Sequence, residues 1–150
     1  MREYHQIDSS VYLRGISDEA EHHDPNLFST YIGKLGRTFK CDISVIVLGE
    51  ITKRICEIFF NNKKERDYWL ETLGDFLVKQ DVKALTILED DVKLFHELRG
   101  VETRAHEPEL LALAIAINHK ADVFMTFDGD LLHSAPLFKQ KYGIKVRKPV

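Results

Sequence analysis

Scarce cysteine, no long apolar run and no surplus of positive charge narrow what this chain can be. Its two cysteines, Cys41 and Cys56, stand far apart inside apolar-rich segments, without the close pairing of a zinc knuckle or redox motif. That excludes a disulfide framework and predicts two reduced, semi-buried packing residues. No apolar stretch approaches the ~20 residues that span a bilayer, and MREYHQIDSS lacks the long apolar core of a signal peptide. The expected location is the cytoplasm, with no membrane partner. A formal net charge of −3 removes any global pull toward phosphate backbones. The four prolines are scattered at 25, 108, 136 and 149, and there is no repeat, low-complexity tract or linker, so one domain over 1–150 is expected.

What is present is ordinary globular composition, 44% hydrophobic and 30% charged in 150 residues, enough to bury a core without covalent staples. Charge is unevenly spread. Lys139, Lys141, Lys145, Arg147 and Lys148 form a basic tail, whereas Glu89-Asp90-Asp91 and Asp18-Glu19-Ala20-Glu21 are acidic. A solvated surface accounts for that tail as well as an RNA contact does.

Short apolar runs alternate with stretches of helical period, the pattern of a parallel sheet with crossover helices, hence an α/β sandwich. Strands are predicted at Tyr4 to Asp8, Phe39 to Ile43, Ala84 to Leu88, Ala121 to Thr126 and Ile144 to Val146. Ser9 or Ser10 caps a first helix, Asp24-Pro25 opens a second, and Ser44 caps a third whose stripe is Val47, Leu48, Ile51, Ile55, Ile58 and Phe59. Lys63 to Gln80 is amphipathic through Tyr68, Leu73, Phe76 and Leu77. A helix from Asp91 to Leu98 stops at Gly100, and Pro108 opens an almost wholly apolar one.

In an open parallel sheet, ligands bind beyond the carboxyl ends of the strands at the topological switch point. Asp8 and Asp128 end predicted strands. Glu109 lies in the first turn of one helix and Glu50 within the first two turns of another, so four acids can converge on one edge. Four carboxylates together need counter-charge, and hard divalent ions, Mg²⁺ or Mn²⁺, supply it through oxygen ligands. Each acid also has a plain structural role open to it. Glu50 can pair with Arg54, Glu109 can complement a helix dipole, Asp8 can cap a helix, and Asp128 or Asp130 can form a turn around Gly129. The His22-His23-Asp24 run has no third ligand and fits a surface loop. Asp128-Gly-Asp130 is similar to a haloacid-dehalogenase nucleophile motif, but that motif opens its fold and only 20 residues follow here.

The segments Ile7-Asp8-Ser9-Ser10, Ser44-Val-Ile-Val-Leu-Gly-Glu50, Glu109-Leu-Leu-Ala-Leu-Ala-Ile-Ala116 and Val123-Phe-Met-Thr126-Phe-Asp128, in that order, span nearly the whole chain. Together they resemble the PIN-domain nucleases, which include the toxin halves of many prokaryotic toxin–antitoxin pairs. The resemblance implies a three-layer α/β/α sandwich with a central, mainly parallel sheet. It implies Asp8, Glu50, Glu109 and Asp128 as catalytic metal-binding acids, Asp130 as an extra ligand, and Ser10 and Thr126 as polar supports. Glu109 departs from the family, where aspartate is usual; Glu107, two residues earlier beside His106, is the substitute, but Glu109 keeps the alanine spacing. Arg14, Lys53 and Arg54 are candidate phosphate contacts by their proximity in sequence to the acids. The implied activity is Mg²⁺- or Mn²⁺-dependent endoribonucleolytic hydrolysis leaving a 5′-phosphate and a 3′-hydroxyl. The implied partners are RNA, an antitoxin protein and a second copy of the chain in a homodimer. The alternative is a catalytically weak PIN-like module acting by RNA or protein binding.

Overall fold

The computed structural model describes residues 2–17 and 27–149. The elements run β1 (Glu3–Ile7), α1 (Ser9–Ser17), α2 (Leu27–Ile32), β2 (Phe39–Ser44), α3 (Val45–Ile58), α4 (Lys63–Lys79), β3 (Lys83–Leu85), α5 (Glu89–Val101), α6 (Glu107–Asn118), β4 (Val123–Met125), α7 (Gly129–His133), α8 (Ala135–Tyr142) and β5 (Lys145–Arg147). Asp24-Pro25, His22-His23-Asp24 and Asp18-Glu19-Ala20-Glu21 lie outside the described residues.

All five strands are parallel, in the order β3-β2-β1-β4-β5. The chain lays β2 and β3 to one side of β1 and returns to place β4 on the other, so the switch point falls between β1 and β4. Alternation along the strands separates two faces. Ile7, Phe39, Cys41, Val123 and Met125 share one, where Val11 of α1 and Tyr31 of α2 pack on them. Phe124 and Val146 point to the other, into the larger cluster with Ile51 and Ile55 of α3, Leu110 and Leu113 of α6 and Phe138 of α8. Helices on both faces of a parallel sheet make the three-layer α/β/α sandwich that the sequence predicts.

The amphipathic stripes explain most of the packing, with local exceptions. Val47, Ile51 and Ile55 bury as expected from α3, but Ile58 is 45% exposed because the helix ends as it clears the core. In α4 the inward face is as expected at Leu73, Phe76 and Leu77, but at its start Trp69 is buried and Tyr68 is not. Gly100 does not stop α5, which runs on to Val101 and is capped by Glu102. Cys41 is buried and Cys56 is exposed, contrary to the semi-buried role expected of it; both are free thiols. Gly15 is required where α1 meets α2, since a Cβ there would stand 2.7 Å from the Cβ of Phe28.

Candidate active site

The site is built from the loops and helix ends at the carboxyl edge of the sheet around the switch point. β1 delivers Asp8, whose backbone N–H still donates to the Met125 carbonyl of β4 at 2.9 Å. The sheet ladder thereby fixes the aspartate's position before its side chain is considered. Asp8 is 1% exposed, and its Oδ2 accepts hydrogen bonds from the hydroxyls of Ser10 and Thr126, both at 2.8 Å. The same two hydroxyls accept from the chain after β4: the Phe127 N–H donates to Ser10 Oγ and the Asp128 N–H to Thr126 Oγ1, each at 2.9 Å. Ser10, expected as a helix cap or as a support, is thus a bridge between the two strand ends. Asp128 Oδ1 accepts from the Leu131 N–H at 2.9 Å and caps α7, as the turn-and-cap reading of this residue expects, and the cap uses only one of its two oxygens.

Glu50 sits in α3, which Ser44 caps by accepting from the Val47 N–H at 3.3 Å. Arg54 turns away from Glu50 and pairs with Glu57 at 2.9 Å, and Lys53 approaches Glu57 at 3.8 Å. The simple helix-face pairing available to Glu50 is therefore not made. Glu109 lies in the first turn of α6, half-buried, whereas Glu107 is exposed and pairs with Arg99 at 3.4 Å.

Three buried carboxylate oxygens, Asp8 Oδ1, Glu50 Oε1 and Glu109 Oε2, have no hydrogen-bond partner. Isolated acceptors of this kind are costly, and those of charged groups more so. The electrostatics record the same conflict. Burial, then the charges of Glu109 and Asp8, push the Glu50 carboxyl up to about 7. Burial also raises Asp8, with Asp128 adding to it against the hydroxyl hydrogen bonds, and raises Glu109, with Asp8 and Asp128 contributing. Asp8, Glu50 and Glu109, from three distant segments, thus lie close enough to neighbouring carboxylates for like charge to add to burial in opposing their ionisation.

The donor set fits a hard divalent cation: only carboxylate oxygens, three of them buried without a donor, in a site that disfavours uncompensated charge. Among the described residues no three His, Cys, Asp or Glu side chains are gathered tightly enough to enclose an ion as they stand. Asp130 is turned outward, 4.0 Å from Arg104 Nε, on a side chain 42% exposed. Arg14 reaches the edge of the site, its guanidinium 5.3 Å above the ring of Phe127, while Lys53 and Arg54 are engaged with Glu57 on the outer face of α3. Arg104 escaped sequence analysis because it lies in the polar turn before α6, and its neighbour Asp130 is 26 positions further on.

A parallel five-stranded sheet with helices on both faces and acids at its carboxyl edge is the PIN-type architecture. No family model and no curated protein matches the sequence. Solved structures do match along the whole fold. FitAcB from Neisseria gonorrhoeae superposes with a TM-score of 0.70 at 16% identity, covering 97% of both chains. VapBC2 from Rickettsia felis, bound to a DNA fragment from its promoter, gives 0.68 at 16% identity over 97% of this chain and 98% of that one. VapC20 of Mycobacterium tuberculosis, a sarcin-ricin loop cleaving toxin, gives 0.59 at 14% identity over 87% and 94%. The chain has the fold of these PIN-domain toxins.

Proposed function

We propose that this protein is a divalent-metal-dependent endoribonuclease and serves as the toxin of a toxin–antitoxin pair. The observation that carries the reading is the set of orphaned buried oxygens on Asp8, Glu50 and Glu109, beside Asp128, at the switch point of a PIN-type sheet. Solved toxins of the same fold support the role, one of them named for cleaving the sarcin-ricin loop.

Bound Mg²⁺ or Mn²⁺ would supply an activated water and charge neutralisation on the phosphate and the leaving oxygen. Asp8, Glu50, Glu109 and Asp128 are the residues that would hold it, with Asp130 an outer ligand. The chain itself does the positioning. Ser10 and Thr126 grip Asp8 by Oδ2, which leaves Oδ1 for a ligand, and Asp128 keeps its second oxygen after capping α7. Glu50 and Glu109 reach in on longer, rotatable arms and would hold the ion as carboxylates, so that its binding would favour their ionised forms. One of the four carboxylates orients the attacking water. Arg14, above Phe127, meets a substrate phosphate beside the acids, and Lys53 and Arg54 meet the chain further along α3.

The rival, a weakly catalytic module that binds RNA or protein, draws on Glu109 in place of aspartate and on the absence of a preformed cage among the described residues. A panel of structured RNAs incubated with Mn²⁺, and with EDTA, separates the two. Endonucleolytic cleavage that EDTA and Asp8→Asn each abolish is expected; binding without cleavage throughout the panel would favour the rival.

A further inference from the structure

Glu102 is 3% exposed, unusual for a glutamate that ends a helix, and both of its oxygens are occupied. Oε1 accepts the N–H groups of Arg104 at 3.0 Å and Ala105 at 3.2 Å; Oε2 accepts the hydroxyl of Ser134 at 2.8 Å. Arg104 Nε lies 3.8 Å from Glu102 Oε1 and 4.0 Å from Asp130 Oδ1, spanning the two acids. The carbonyls of the same turn are held as well, Ala105 O by Arg99 at 2.6 Å and Glu102 O by Arg99 at 3.4 Å. Nothing in the metal chemistry requires these bonds.

Their placement gives them a use. The turn closed by Glu102 ends at His106, the N-cap residue of α6, whose first turn carries Glu109. Ser134 ends α7, the short helix whose other end is capped by Asp128. The Ser134 N–H donates to Asp130 O at 3.2 Å, continuing the turn back toward that cap. From the geometry we infer that Glu102 is a positioning residue: through Ser134 it fixes the segment that launches Glu109 against the segment that presents Asp128.

This rests on the reading of the acids as a metal site. Partners that orient metal ligands are commonly worth 10- to 100-fold in metal affinity. Glu102→Ala is therefore expected to weaken Mn²⁺ binding by about that factor, and Ser134→Ala by about 10-fold. Glu102→Gln should restore binding to within a few-fold, because its amide oxygen accepts the two N–H groups and its amide nitrogen donates to Ser134 Oγ. A merely structural residue would lower the melting temperature without changing the affinity of the folded protein.

The test is calorimetric titration of Mn²⁺ into the full chain, wild type and the three variants. It is paired with amide hydrogen exchange on the metal-free proteins at Leu131, whose N–H Asp128 caps. The amide of Val47, capped by Ser44, is the remote reference. Weakened binding in Glu102→Ala and Ser134→Ala, rescue by Glu102→Gln and faster exchange at Leu131 alone are expected. Unchanged affinity and unchanged Leu131 exchange in Ser134→Ala would overturn the inference while leaving the metal site intact. Failure of the wild type to bind Mn²⁺ at all would instead overturn the site reading, and the exchange data would still decide whether Glu102 couples the two segments.

Discussion

Thr126 shows how little freedom the site residues have. Its side chain is fully buried and joins two acids, donating to Asp8 Oδ2 and accepting the Asp128 N–H. Thr126→Val keeps the shape, strands the Asp128 N–H and leaves Asp8 Oδ2 with the Ser10 hydroxyl alone, so a loss of about 1–3 kcal/mol is expected in denaturant unfolding, together with weaker metal binding. Asp8→Asn acts in the opposite direction on stability. It removes a buried charge that burial and Asp128 both oppose, so the metal-free variant should melt at or above the wild-type temperature while losing cleavage. Asp128 was legible in the sequence because it follows the apolar run Val123-Phe-Met, and Asp8 because it ends a predicted strand just before the Ser9-Ser10 helix start. Glu50 was ambiguous, since Arg54 four residues on is an adequate partner; only the folded chain shows that Arg54 takes Glu57. Glu102 gave no signal, because its partner Ser134 is 32 residues away in sequence.

Elements were legible where local chemistry and packing agree. Ser44 is a cap by sequence and by geometry, and Ser44→Ala should cost about 1 kcal/mol, measured by chemical denaturation. The loss falls on α3, the helix that carries Glu50. Gly100 misled because an exposed glycine inside a helix costs only about 1 kcal/mol, less than the tertiary ties at Leu98 and Arg99 that carry α5 onward. Tyr68 in α4 misled because it and Trp69 both suit a buried stripe, and the stack of Trp69 on Phe59, 6.5 Å between centroids, selects the tryptophan. The contact of α1 with α2 is fixed by the missing side chain at Gly15; Gly15→Val should destabilise by about 1–3 kcal/mol through overpacking against Phe28.

At the scale of the molecule, the topology brings together acids that lie up to 120 positions apart, and that convergence sets the response to pH and metal. Glu50 has a folded pKa of about 7 against an ordinary 4.5, so between these values the folded chain holds a proton that the unfolded chain has released. Stability therefore falls as pH rises through that window, and the raised carboxyls of Asp8 and Glu109 act in the same sense. Calorimetric melting of metal-free protein should show a higher transition near pH 5 than near pH 7.5, with a smaller difference in Glu50→Gln. Mn²⁺ should raise the transition most at the higher pH, where the ligands are already ionised. Three cations of the basic tail make ion pairs within the fold: Lys145 and Arg147 reach Glu3 at 3.8 and 3.1 Å, and Lys141 reaches Glu97 at 3.6 Å. Among the described residues no helix is long and apolar enough to cross a membrane.

The central claim, that these carboxylates form one divalent-metal site, is tested most directly by titrating Mn²⁺ into wild type and into Asp8→Asn/Asp128→Asn at neutral pH in a calorimeter. Saturable binding with proton release in the wild type, lost in the double variant while the fold is retained, is the predicted result. Equal binding by both proteins, or none by either, would contradict it and return the four acids to the roles of caps and turns.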